Sequence, residues 1–217
     1  MKAKDIVILG DSYSTFSGYI PDGYAAYYPY PNDGGDEQVG VTSVRDTWWW
    51  QLADELSLNI VQNNSWSGST VSYTGRHGDC SATSSFIFRA KQLIENGILE
   101  SGKVDTVLIF GATNDSWIDV PLGENKSTDI THEDLFSIRP AIFYLVELLT
   151  KSLPYANVVY ILNTELNPQI NEAAELACRH YGARLIKLHD IDKIQGHPTA
   201  RGMAQIKDQV MAELLSL

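Results

Sequence analysis

Two cysteines, Cys80 and Cys178, are all that the 217 residues hold. That is too few for a disulfide framework, and each reads as a small buried hydrophobe, indifferent to the redox state of its surroundings. Basic residues are scarce as well: 16 Lys and Arg stand against 27 Asp and Glu, for a net charge of −11. This balance argues against nucleic acid and against an anionic membrane as partners. No apolar run is long enough to span a bilayer, and no secretory apolar region precedes the first strand. A cytoplasmic location is expected, or a secreted one if a leader was trimmed. His77, His132, His180 and His189 lack mutual metal-ligand spacing, so no metal is expected, and no other cofactor is either. There is no internal repeat, linker or low-complexity tract.

What is present fits a single domain over residues 1–217, with 44% hydrophobic and 20% charged residues. Ile6 to Leu9 form an apolar run without polar alternation, the pattern of a strand buried on both faces. Gly10, Asp11 and Ser12 follow directly, so Ser12 falls just past the C-terminal end of a central strand. Similar runs lie at Leu58–Asn64, Asp105–Gly111, Asn157–Asn163 and Ala183–Leu188. Residues 15–45 form a long irregular segment rich in aromatics (Tyr19, Tyr24, Tyr27, Tyr28, Tyr30), with prolines and the pair Gly34 and Gly35. Such a segment reads as a packed cover beside Ser12.

Helices separate the strands. Asp46 is placed to cap a helix whose apolar face carries Trp49, Leu52, Ala53 and Leu56. A helix is predicted from about Ser84 to Asn96. Another opens with a capping box at Thr131 and Asp134 and runs to Leu153, with a break or kink expected at Pro140. Asn167 and Pro168 start a further helix that stops at Gly182, and the last begins at Thr199. Five alternating strand and helix pairs imply a parallel sheet with helices on both faces. Among right-handed topologies the flavodoxin-like order 2-1-3-4-5 is chosen.

Parallel strands place their C-terminal ends on one rim, which brings together groups distant in sequence. Ser12 follows the first strand, Gly68 the second, Asn114 the third and His197 the fifth. Their types suit acyl transfer. A serine hydroxyl needs a neighbouring base, and an imidazole can take its proton and return it to the leaving group. A developing oxyanion needs fixed donors, which the backbone N–H of Gly68 and of Ser12 and the amide of Asn114 can provide.

These motifs resemble the SGNH hydrolases, also called GDSL esterases. The resemblance rests on Gly10-Asp11-Ser12-Tyr13-Ser14, the glycine in Asn64 to Gly68, the block Gly111 to Asp115, and His197-Pro198-Thr199 continuing to Gly202. They occur in the family's order along the whole chain. The resemblance implies a three-layer α/β/α sandwich and an ester hydrolase. In it Ser12 would be the nucleophile and His197 the base, with Ser12 N–H, Gly68 N–H and the Asn114 amide as oxyanion hole. One position departs from the pattern: the family usually carries an acid three residues before the histidine, where this chain has Ile194. Asp192 is the preferred orienter of the imidazole. Asp190 and a backbone carbonyl such as that of Gln195 are the alternatives.

Trp66, Trp117 and Tyr13 are expected to line the substrate site. Aromatic faces suit sugar rings or acyl chains, so a small-molecule ester, with a carbohydrate O-acetyl ester as the leading candidate, is the expected substrate. Two other readings compete. The scaffold could serve as a non-catalytic carbohydrate-binding module, since the usual acid is missing. A metallophosphoesterase using Asp11, Asn114 and His197 is disfavoured, because its ligand spacing is absent. His189 is a weak candidate for a place behind His197, and Arg89 reads as structural.

Overall fold

The apolar runs pair as one parallel sheet, and the rest of the chain wraps its two faces. The computed structural model describes residues 4–29, 40–100 and 102–216. In chain order these form β1 (Asp5–Gly10), α1 (Trp48–Leu56), β2 (Asn59–Ser65), β3 (Thr74–Gly75), β4 (Gly78–Asp79), α2 (Phe86–Glu95), β5 (Thr106–Phe110) and α3 (Thr113–Trp117). They continue with α4 (Ile138–Ser152), β6 (Asn157–Leu162), α5 (Pro168–Tyr181), β7 (Arg184–Lys187), β8 (Lys193–Ile194), β9 (His197–Pro198) and α6 (Ala200–Leu214). The five-stranded sheet has the order β2-β1-β5-β6-β7. This is the predicted 2-1-3-4-5 arrangement.

Alternate residues of each central strand feed two separate cores. Val7, Leu9, Val107, Ile109, Val158 and Tyr160 face the layer built by α2, α4 and α5. Ile6, Ile8, Leu108, Phe110, Val159 and Ile161 face α1 and α6. Both faces are apolar, which is why these strands show no polar alternation. Each large side chain buried in this way contributes about 1.5–3 kcal/mol. Among the described residues no helix is long and apolar enough to cross a membrane.

Several local expectations shift. Asp46 does not cap α1. It closes a preceding 3₁₀ turn by accepting from the Thr42 and Ser43 backbone N–H groups at 3.0 and 2.8 Å, and Thr47 occupies the N-cap. Trp48, which lies beside the face of Trp49 and Leu52, is fully buried with them. The helix expected from Thr131 is instead a short 3₁₀ turn, Glu133–Phe136, and α4 starts afresh at Ile138. Pro140 then lies in the first turn of α4, where a missing N–H leaves no intrahelical bond unmade, so no kink follows. Both cysteines are buried and unpaired. In the irregular segment, Tyr30, Pro31, Gly34 and Gly35 fall outside the described residues.

The register decides where the rim loops emerge. Gly10 pairs with Ser65 on one side and with Phe110 on the other, so β1, β2 and β5 end level. The turns after them leave the sheet side by side.

Candidate active site

The turn after β1 is a single 3₁₀ turn, Ser12–Ser14, capped by Asp11, whose Oδ1 accepts from the Tyr13 N–H at 3.1 Å. Gly10 makes the turn possible: a Cβ there would stand 2.6 Å from Ser65 Oγ and 2.7 Å from Ser14 Oγ. Trp48 Nε1 donates to Ser14 Oγ at 3.2 Å, and Asn63 Nδ2 donates to the Ser14 carbonyl at 2.8 Å. Ser12 is thereby held from the α1 side and from β2.

His197 comes from the opposite end of the chain. β8 and β9 form a hairpin in which Ile194 faces His197, and the two turn residues, Gln195 and Gly196, have φ of 49° and 81°. Two successive positive φ values match a type I′ hairpin turn, whose twist suits short antiparallel ribbons. It delivers His197 Nε2 to 3.0 Å from Ser12 Oγ. Tyr27, from the irregular segment, stacks on the imidazole with ring centroids 3.6 Å apart and planes 6° apart. Trp117 meets the ring edge-on at 5.4 Å.

This enclosure changes the basicity of the ring. Burial lowers His197 from 6.5 to about 4; the Gln195 backbone carbonyl pulls the other way, and the Arg76 and Lys193 charges lower it further. The ring is therefore neutral at pH 7 and can accept the Ser12 proton.

Asp192, expected to orient this ring, is placed elsewhere. Its carboxylate accepts from the Thr199 hydroxyl and its backbone carbonyl accepts from the Thr199 N–H at 3.1 Å, so it secures the start of α6. Asp190 is almost fully exposed and pairs with His189 at 3.0 Å, away from His197. His197 Nδ1 is buried without a regular hydrogen bond. The group that favours its protonation is the Gln195 carbonyl, the third of the expected alternatives. The positive φ at Gln195 turns the chain at the residue two before the ring.

Asn114 sits in the first turn of α3 and is buried. Its Nδ2 donates to the Ser69 carbonyl at 3.0 Å, and its Oδ1 accepts from Arg76 Nε and Nη2 at 3.2 and 2.9 Å. Gly68, with φ of +80°, makes the preceding left-handed turn. Next to Asn114, Asp115 accepts from the Val71 and Ser72 N–H groups at 2.8 and 3.0 Å and so ties the β2 loop to α3. Burial raises Asp115 to about 6 despite those two bonds, and raises Asp11 to about 7 despite the Tyr13 amide, the Thr113 hydroxyl and the Arg89 charge.

Of the expected lining aromatics, Trp117 is 42% exposed at the mouth of the site. Trp66 is half-buried and packs on Tyr24 with centroids 4.3 Å apart. Tyr13 is not a lining residue. It is fully buried beneath His197, donates its hydroxyl to the Gly196 carbonyl and accepts from Asn163 Nδ2 at 2.9 Å. Its position directly after Ser12 in a tight turn sends it into the core. Arg76 carries no sequence signal, because its stretch lacks periodicity, whereas Tyr27 belongs to the expected aromatic cover and Asn163 to the end of a predicted strand. Among the described residues, no three His, Cys, Asp or Glu side chains converge as a metal site requires.

A profile of the GDSL-like lipase/acylhydrolase family matches residues 4–214. A crystal structure described as a GDSL-like lipase, from Bacteroides uniformis ATCC 8492, is 40% identical, with a TM-score of 0.88 over 99% of this chain and 97% of that one. A second, so described and from Bacteroides ovatus ATCC 8483, is 39% identical with a TM-score of 0.87 over the whole of both chains. Est24, a carbohydrate acetylesterase from Sinorhizobium meliloti, shares the fold at 13% identity, with a TM-score of 0.63 over 98% of this chain and 99% of that one. Comparison with curated protein sequences found no match.

Proposed function

We propose, for a chain that belongs to the GDSL-like lipase/acylhydrolase family, that it is a serine esterase releasing small acyl groups, with carbohydrate O-acetyl esters as its substrate class. The observation that carries the reading is the 3.0 Å contact between Ser12 Oγ and His197 Nε2, made across 185 positions of sequence.

In this reading His197 takes the Ser12 proton as Oγ attacks the ester carbonyl. Ser12 N–H, Gly68 N–H and the Asn114 amide receive the developing oxyanion. The protonated imidazole then gives its proton to the departing alcohol, leaving an acyl-Ser12. Water attacks that ester with His197 again as base, which releases the acid and restores the serine. Orientation of the ring falls to the Gln195 carbonyl, supported by the Tyr27 stack and by Tyr13 under the hairpin turn. The site thus works as a Ser-His dyad with a carbonyl in place of the third acid. Exposed Trp117 and the paired rings of Tyr24 and Trp66 support a sugar-sized alcohol, since aromatic faces bury the apolar face of such rings. A structural neighbour described as a carbohydrate acetylesterase is in keeping with this class.

The test is a series of p-nitrophenyl esters of increasing acyl length, then acetylated sugars, alongside labelling by an organophosphonate. Acetyl esters should be cleaved fastest, and the label should be lost in Ser12→Ala. Hydrolysis that survives Ser12→Ala would overturn the assignment.

A further inference from the structure

Arg76 lies at the tip of the hairpin formed by β3 and β4, a place where an arginine would ordinarily serve solubility. Here both of its donors on one side converge on a single buried atom, Asn114 Oδ1, at 3.2 and 2.9 Å. Its Cδ lies 3.8 Å from where a Cβ on Gly68 would stand, and its guanidinium carbon lies 5.9 Å from the centre of the Trp117 ring. Asp115, the residue after Asn114, holds the start of the loop that carries the hairpin through Val71 and Ser72. The arginine is therefore aimed by the same helix whose side chain it contacts.

We infer that Arg76 is a positioning residue for the oxyanion hole, acting through the Asn114 amide. This rests on the reading of Asn114 as an oxyanion donor.

The chemistry of the partners fixes the amide. A guanidinium only donates, so the carbonyl end of Asn114 must face Arg76. The Ser69 carbonyl only accepts, so the NH₂ end must face it, and it does at 3.0 Å. One N–H is thus committed to Ser69, which leaves one N–H for substrate oxygen. A cation on the amide oxygen draws electron density from the nitrogen, and in a buried site such chained hydrogen bonds strengthen one another. The free N–H becomes a better donor to an oxyanion, whose charge exceeds that of the ester carbonyl. The gain is larger in the transition state than in the bound substrate, so it belongs in kcat rather than KM.

The test compares Arg76→Met, Arg76→Lys, Asn114→Ala and the double variant Arg76→Met/Asn114→Ala on p-nitrophenyl acetate. Removing an oxyanion donor outright costs about 10²–10³ in kcat, and a residue that only strengthens one should cost roughly tenfold. Arg76→Met should lower kcat by that factor with KM within about twofold, and Arg76→Lys should recover part of it by restoring the charge. In the Asn114→Ala background Arg76→Met should change kcat by less than about twofold, since the amide it acts on is gone. Full kcat in Arg76→Met while Asn114→Ala is crippled overturns this inference alone. An equal loss in both backgrounds does the same. Full activity in Asn114→Ala overturns the oxyanion-hole assignment together with it.

Discussion

Arg89→Met asks whether one buried guanidinium holds the catalytic rim together. Arg89 is fully buried on α2. Its Nε donates to the Ser84 carbonyl at 2.9 Å, its Nη1 to the Asn64 carbonyl and to Asn64 Oδ1 at 3.1 Å, and its Nη2 to the Gly10 carbonyl at 3.1 Å and Ser69 Oγ at 3.0 Å. These acceptors belong to the ends of β1 and β2, the loop after β2 and the turn before α2. The charge is met by carbonyls, with Asp11 acting at longer range, and burial drags the guanidinium from 12.5 down to about 10. That shift corresponds to about 3 kcal/mol set against the charged form, which methionine would relieve. Methionine would also keep the packing on Phe86, whose ring lies 4.5 Å from the guanidinium carbon. Against this, the Gly10 carbonyl retains only the Trp66 N–H at 3.1 Å, and the Ser84 carbonyl and the Asn64 side chain lose the bonds named above. Each buried acceptor left unmet costs about 1–3 kcal/mol. The net expectation is a destabilisation of about 3 kcal/mol, in the lower part of the range for breaking buried charged networks. Urea unfolding followed by tryptophan fluorescence at pH 6 and pH 9 measures it. The loss should be larger at pH 9. Without Arg89 the carboxyl of Asp11 is raised further, and a raised acid loses stability as pH climbs through its folded value. A loss below about 1 kcal/mol, or one equal at the two pH values, would refute the reasoning.

Three further outcomes follow from the same geometry. Asp192→Asn should lower kcat/KM by less than about tenfold, because its carboxylate serves Thr199; a larger loss with an unchanged melting temperature would return it to the imidazole. The acid limb of kcat/KM should fall below pH 6, since burial holds His197 near 4; a limb centred near 6.5 would show a ring in contact with bulk water. Asp11→Asn should flatten the stability profile between about pH 4 and pH 7. The Asp11 carboxyl is raised from 3.8 to about 7, so its contribution is full below 3.8 and is lost as pH rises through 7, up to about 4 kcal/mol. Unfolding midpoints of the two proteins that run parallel from pH 5 to 9 would contradict this.

The layout of the sheet was legible in the sequence because its strands are buried on both faces. Ile6 to Leu9 or Thr106 to Phe110 admit no other regular role, and level strand ends then bring Ser12, Gly68, Asn114 and His197 to one rim. Periodicity reports burial, however, and says nothing of which polar group meets which. Tyr13 read as part of the substrate wall, being next to Ser12, yet a 3₁₀ turn drives it under the imidazole. Trp48 lies off the predicted apolar face of α1, and its burial goes with the bond its Nε1 donates to Ser14, 34 positions away.

Asp192, the preferred orienter of His197, is drawn away by the shape of its loop. A carboxylate five or seven residues before the histidine reaches the ring only if the turn at Gly196 bulges the loop back toward it. A two-residue hairpin turn instead folds Ile194 opposite His197 and sends Asp192 toward Thr199. The same tight turn carries the Gln195 backbone past the ring, where the proposed orienting carbonyl stands. Side-chain to backbone bonds of this kind, like those of Arg89, Asn63 and Asp115, span the chain without regular spacing. They also do most to set the distances within the site, since strands fix only where each rim loop begins. The polar groups that hold Ser12 and His197 at 3.0 Å are for that reason the part of the protein that a linear pattern conceals.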